Sequence, residues 1–106
     1  MGNVFSDTWQ VILHRLKPGE IIPNWTVLKG YLGDTMKVVH FDQDEIVVQA
    51  PKAKNLLRVS KDEFKEIWEI WPAYKTGRMQ RQEVCEMTFH SKYILSILHW
   101  LEENKQ

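Results

Sequence analysis

Residues 36–50 read MKVVHFDQDEIVVQA. Two runs rich in valine and isoleucine, 36–41 and 45–50, stand on either side of a short polar segment, a pattern typical of two strands joined by a tight turn. In the second run apolar residues occupy every other position from Ile46 to Ala50. One face of this hairpin is therefore predicted to be buried and the other to be partly solvated.

The chain beyond the hairpin is predicted to form a third strand and then its best-marked helix. The strand is expected at 55–59. Ser60 and Glu63 match a capping box, in which each side chain accepts from a backbone N–H of the other residue. Apolar residues then recur at the helical spacing i, i+3, i+4 and i+7. Pro72 is expected to kink or end this helix, and Gly77 to stop it.

The remaining chain is predicted to be mostly helical. Three further helices are expected at 7–16, 79–87 and 91–103. Ser6 is predicted to cap the first of them and Ser91 the last. The last helix is apolar on several sides, so it is expected to be buried between the sheet and another helix. Residues 20–34 follow no clear period and are predicted to form a packed connection with a short helical turn at 26–29.

These elements predict one α+β domain over residues 1–106, in which a three-stranded antiparallel β-meander packs with an N-terminal helix and a C-terminal helical half. A chain of 106 residues has room for a single core. The residues predicted to fill that core are Trp9, Leu13, Val38, Ile46, Val48, Phe64, Ile67, Trp68, Ile94, Ile97 and Leu98.

Composition and charge argue against several classes of protein. The 14 basic and 14 acidic side chains give a formal net charge of zero, so a general attraction to nucleic acid or to an anionic membrane is not expected. No apolar run reaches the roughly 18 residues of a membrane span, and the first residues lack the pattern of a secretion signal. Cys85 is the single cysteine, which favours a reducing, cytoplasmic location.

The aromatic content exceeds the expected demand of one small core, with five tryptophans in the chain. Trp25, Tyr31, Trp71 and Trp100 are predicted to lie at an interface, because aromatic side chains are enriched at interface centres. The predicted partner is a second copy in a homodimer, since symmetric dimers are the commonest soluble oligomers. The alternative is that these side chains complete the core of the monomer.

A basic stretch at 74–82 contains three positive charges and no acid. The predicted contact surface for nucleic acid or for another macromolecule consists of Tyr74, Lys75, Arg78, Arg81 and Lys92. The cations would bind phosphate and the tyrosine would stack on a base. The alternative is a solvated loop whose cations complement the C-terminal dipole of the preceding helix.

The two helices predicted after this stretch have the lengths of a helix–turn–helix unit. The side chains of the second helix that would face the bases are Lys92, Ser96, His99 and Glu103. They offer a single lysine, and most of the helix is apolar, so nucleic-acid binding of this type stays an alternative.

A cluster of acids at the predicted hairpin turn is the candidate for catalysis. Asp42, Asp44 and Glu45 could serve a small metal-dependent hydrolase or nuclease, although acids at turn tips are commonly there for solvation. The histidines and Cys85 show no metal-binding spacing, so no metal site and no cofactor are predicted. The leading hypothesis is a non-enzymatic binding or regulatory module, and the hydrolase is the alternative.

A resemblance extends over the second half of the chain. The residues that carry it are Arg58–Phe64, Trp71, Tyr74, Gly77, Arg81, Thr88 and Ser91–Leu98. This pattern resembles small uncharacterised bacterial proteins, including products of the mobile gene cassettes of integrons. The resemblance implies a bacterial cytoplasmic protein with an accessory role, and it carries over no catalytic residue.

Overall fold

The hairpin of residues 36–50 lies inside a four-stranded antiparallel sheet in the order β1-β2-β3-β4. The computed structural model describes residues 5–26, 30–50, 56–88 and 90–103. Its elements are α1 (Phe5–Arg15), β1 (Ile21–Thr26), β2 (Gly30–Phe41), β3 (Glu45–Gln49), β4 (Leu57–Ser60), α2 (Lys61–Lys75), α3 (Arg81–Cys85) and α4 (Ser91–Glu103). The α+β class, the N-terminal helix, the antiparallel sheet and the C-terminal helices are confirmed. The prediction of three strands was wrong.

The additional strand comes from the segment that was predicted to be a connection. Residues 21–26 form β1, and β2 begins at Gly30 rather than near Met36. The alternation of β1 is hidden in the sequence because two of its buried positions are polar, Asn24 and Thr26. The register also shifts next to Pro23, as a β-bulge requires. The predicted helical turn falls largely on residues 27–29, which lie outside the described residues.

One hydrophobic core takes side chains from every described strand and helix. Nine of the predicted core residues are buried in it, whereas Leu13 and Trp68 are half-buried at its border. Helix α1 turns Phe5, Trp9 and Ile12 inward, and Leu16 directly after it is buried too, which places Leu13 at the edge. Val47 is buried as well, against the predicted alternation.

The helix boundaries follow local chemistry. The capping box of Ser60 and Glu63 starts α2 as predicted. Pro72 lies inside α2, which continues to Lys75, and Gly77 follows with a φ of +81° that favours glycine. Ser6 lies within α1 and is therefore not its cap.

Helix α4 closes the outer edge of β1. The backbone N–H of Trp25 donates to Ser96 Oγ at 3.0 Å, and this hydroxyl lies 3.5 Å from Asn24 Oδ1. Both Asn24 and Ser96 are fully buried. An edge strand with unpaired backbone groups would invite pairing with another chain, and the helix takes up one such group at Trp25.

Candidate binding groove

An open groove of about 350 Å³ lies between three helices. Helix α1 lines it with Asp7, Thr8, Val11 and Arg15, which share one helix face. Helix α2 contributes Trp68 and Trp71, and helix α4 contributes Leu98, Leu101 and Glu102. The middle of this groove is therefore apolar, and its charged side chains belong to α1 and to the end of α4.

Packing holds the two tryptophans of the groove in place. Trp68 is half-buried, with its ring centroid 5.7 Å from that of Phe5. Trp71 is 5% exposed, and its ring lies 6.1 Å from that of Tyr74 and 6.0 Å from that of Trp25. A surface whose rings are fixed in this way loses little conformational entropy when a ligand binds.

The carboxylate of Glu102 is engaged within the chain. It accepts hydrogen bonds from Trp71 Nε1 and from Lys75 Nζ, the latter at 2.9 Å. Burial raises the pKa of Glu102, but these two hydrogen bonds outweigh it and hold the pKa below its usual value. The same lysine nitrogen lies 6.0 Å from the centroid of the Trp71 ring.

Helix α1 presents an apolar residue between two opposite charges. Val11 is 42% exposed, Asp7 lies in the first turn of the helix, and Arg15 lies in the last. Asp7 forms no ion pair with any residue that the structure describes. On its other side Val11 borders a second, shallower depression of about 780 Å³ toward the β2–β3 turn. Val11 is thus a ridge between two hollows.

The predicted basic surface does not form as expected. Tyr74 is fully buried, so the prediction that it stacks on a base was wrong. Lys75 pairs with Glu102, so its charge is not free of acids. Arg78 is exposed, with Nε donating to Thr76 Oγ1, and Lys92 Nζ lies 5.8 Å from the ring of Tyr93. Arg81 begins α3, and its side chain lies outside the described residues.

The two helices of the helix–turn–helix alternative also differ from what that alternative requires. Helix α3 has only five residues. Helix α4 buries Ile94 to Leu98 without interruption, including Ser96, which was expected on the polar face. Such a helix has no continuous polar surface to place against base edges.

The four aromatic residues predicted to lie at an interface differ in their exposure. Trp71 is 5% exposed and packs among the aromatic side chains of its own chain, and it reaches the surface at the wall of the groove. Trp25 is half-buried and stacks on His99, with ring centroids 4.0 Å apart. Trp100 is half-buried at the core, and Tyr31 remains 57% exposed. Burial lowers the pKa of His99, while the nearby Glu103 and Glu102 raise it in part.

The three acids at the hairpin turn do not converge on a site. Asp42 Oδ1 accepts from the backbone N–H of Asp44 and of Glu45, and the first of these hydrogen bonds is the main reason that the pKa of Asp42 is lowered. Glu45 pairs with Arg58. Within the described ranges no three histidine, cysteine, aspartate or glutamate side chains gather as metal ligands.

Glu63 is the centre of a hydrogen-bonded cluster, of which only the capping box with Ser60 was predicted from the sequence. Its Oε2 atom accepts from the backbone N–H and the hydroxyl of Ser60, and its Oε1 atom accepts from Thr88 and lies 2.8 Å from His90 Nδ1. Burial raises the pKa of Glu63, but the hydrogen bonds from Thr88, Ser60 and His90 outweigh it and lower the pKa to about 2. The capping box was the sequence signal, and the residues from the α3–α4 connection were not foreseen.

Comparison of the chain with protein-family models, curated proteins and solved structures gave no match. None of the helices that the structure describes combines the length and the apolar character needed to cross a bilayer.

Proposed function

We propose that this protein is a non-enzymatic binding module and that the groove between α1, α2 and α4 is its binding site. The observation that carries the proposal is the apolar middle of this groove, which stays open beside the exposed Val11. A volume of about 350 Å³ lies in the range of ligand pockets lined by apolar and aromatic residues with a few polar groups. Exposed apolar surface with a polar rim marks interaction sites.

The lining favours a protein partner over nucleic acid. The acids at the groove, Asp7 and Glu102, are matched by the cations Arg15 and Lys75, so the groove has no excess positive charge to attract a phosphate backbone. Three helix walls around an apolar floor suit the apolar side chains of another helix, as in helix-in-groove recognition. The exposed thiol of Cys85 is consistent with a reducing compartment, and we propose the bacterial cytoplasm as the location.

The alternative of a metal-dependent hydrolase receives no support from geometry. Asp42 is engaged with the backbone of its own turn, and Glu45 with Arg58. A hydrolytic metal site needs carboxylates that converge on one ion.

We expect Val11→Gln to weaken binding of the neutral apolar dye N-phenyl-1-naphthylamine about fivefold, because the variant removes apolar contact area at the groove. The measurement is a fluorescence titration at low protein concentration. Val39→Gln is the matched control, since Val39 is a similarly exposed valine on β2, 36% exposed. Equal dye affinity of the two variants, or no saturable binding by the wild type, would contradict the proposed function.

A further inference from the structure

We propose that the partner of this groove is a second copy of the same chain, with the two α1 helices packed antiparallel across a two-fold axis at Val11. The inference rests on the proposed function and names its partner. Asp7, Val11 and Arg15 are spaced four residues apart and all line the groove. The negative and the positive charge therefore stand about 6 Å along the helix on either side of an exposed valine.

The order of Asp7, Val11 and Arg15 along α1 is complementary to the same three residues of a second copy in antiparallel orientation. In an antiparallel pair centred on Val11, each residue faces the residue at the same distance on the other side of the centre. Asp7 of one copy then faces Arg15 of the other, and the reverse pair forms at the opposite end. The two Val11 side chains lie side by side at the axis, each against the hollow beside the other, where their exposed surface is buried. A two-fold interface requires one self-complementary patch of this kind.

The shape of the surface supports the same pairing. Val11 is a ridge with a hollow on each side of it. Helices pack by fitting the ridges of one into the grooves of the other, so the ridge of each copy is received by the groove of its partner. Leu101 and the half-buried Trp68 are then covered.

Arg15 serves its own chain and the partner together. It has contacts within the chain. A guanidinium carries five N–H donors, so these contacts are compatible with a further hydrogen bond to a carboxylate of the second copy. Asp7 and Arg15 also complement the dipole of their own helix, which alone would affect stability but not association.

Charge reversal separates these roles. We expect sedimentation equilibrium of the wild type to show a species of twice the 12.6 kDa chain mass as the concentration rises from micromolar to millimolar. Asp7→Arg and Arg15→Asp, each alone, replace both attractive pairs by repulsive ones and should weaken the dimer at least about tenfold. The double variant restores both pairs, and so does an equimolar mixture of the two single variants, which should form a heterodimer.

Two outcomes would overturn the inference: a wild-type chain that stays at 12.6 kDa throughout, or single variants that associate as strongly as the wild type. Circular dichroism checks that each variant is folded. The double variant is a second control, because it carries both substitutions and is still expected to associate. The dye titration distinguishes the two proposals. If the chain is monomeric but the groove binds the dye and Val11→Gln weakens this binding, the dimer is wrong and the binding groove stands. If the wild type binds no dye at concentrations at which it is monomeric, the groove itself is wrong.

Discussion

Replacement of Glu63 by glutamine is expected to lower the free energy of unfolding by about 2–3 kcal/mol at neutral pH. The carboxylate accepts hydrogen bonds from Ser60, Thr88 and His90, and an amide offers one acceptor oxygen where the carboxylate has two. The variant therefore leaves partly buried donors without an acceptor. It also detaches the start of α2 from the α3–α4 connection.

The carboxyl group of Glu63 also makes the free energy of unfolding depend on pH in the acid range. The pKa of Glu63 falls from the model-peptide value of 4.5 to about 2 in the folded chain, so the unfolded chain binds the proton more readily. The stabilisation is fully present above the unfolded pKa, and it is lost as the pH falls from about 4.5 toward 2. The wild type should lose about 2–3 kcal/mol to this group across that window, because one pKa unit corresponds to about 1.4 kcal/mol and the site is partly solvated.

Urea unfolding at a series of pH values tests the assignment. Glu63→Gln should have a flatter acid limb than the wild type by that amount. Glu66→Gln is the control, since Glu66 is exposed one turn further along α2, and a change within about 0.5 kcal/mol is expected for it. A Glu63→Gln variant with the acid dependence of the wild type would show that this carboxylate is not the group that titrates.

How far sequence reasoning reaches is visible at the two ends of α2. The start was predictable because a capping box is encoded within four residues, Ser60 to Glu63. Thr88 and His90 were not predictable there, since only the tertiary fold brings them to the same carboxylate. Local signals specify local structure, and long-range polar contacts leave no periodic trace.

At the other end of α2 the effect of a proline on the helix was overestimated. Pro72 was expected to kink or end the helix, and Tyr74 beyond it was assigned to an exposed contact surface. The helix instead continues, so the buried stripe of Ile67 and Trp71 extends to Tyr74 at i+7. Pro72 itself is exposed. The spacing of the aromatic residues contained the correct answer.

The groove was beyond the reach of the sequence because its walls come from helices far apart in the chain. Trp68 and Leu98 were predicted as core residues. Leu98 is buried in the core and Trp68 packs against it, but the side chains of α1 and α4 leave a groove open beside both. Periodicity identifies the inner face of each helix. It does not indicate how closely two helices approach, which depends on the packing of all their neighbours.

Ser96→Ala is expected to destabilise the chain by about 1–3 kcal/mol, although an exposed serine in a helix would become more stable as alanine. Ser96 is fully buried, and its hydroxyl is the acceptor for the backbone N–H of Trp25 at the edge of β1. Alanine leaves that partly buried N–H without its acceptor.

Hydrogen exchange locates the effect of this change. The amide hydrogen of Trp25 should exchange faster in Ser96→Ala, because the hydrogen bond that protects it is gone. This increase should exceed the one expected from the lower free energy of unfolding alone. Ser6→Ala provides the control at an exposed position of α1, where the free energy of unfolding should stay within about 0.5 kcal/mol of the wild type. An unchanged Trp25 amide in a Ser96→Ala variant as stable as the parent would mean that α4 does not close this strand edge. In that case the backbone N–H of Trp25 would be an open donor at the edge of β1, where another strand could pair.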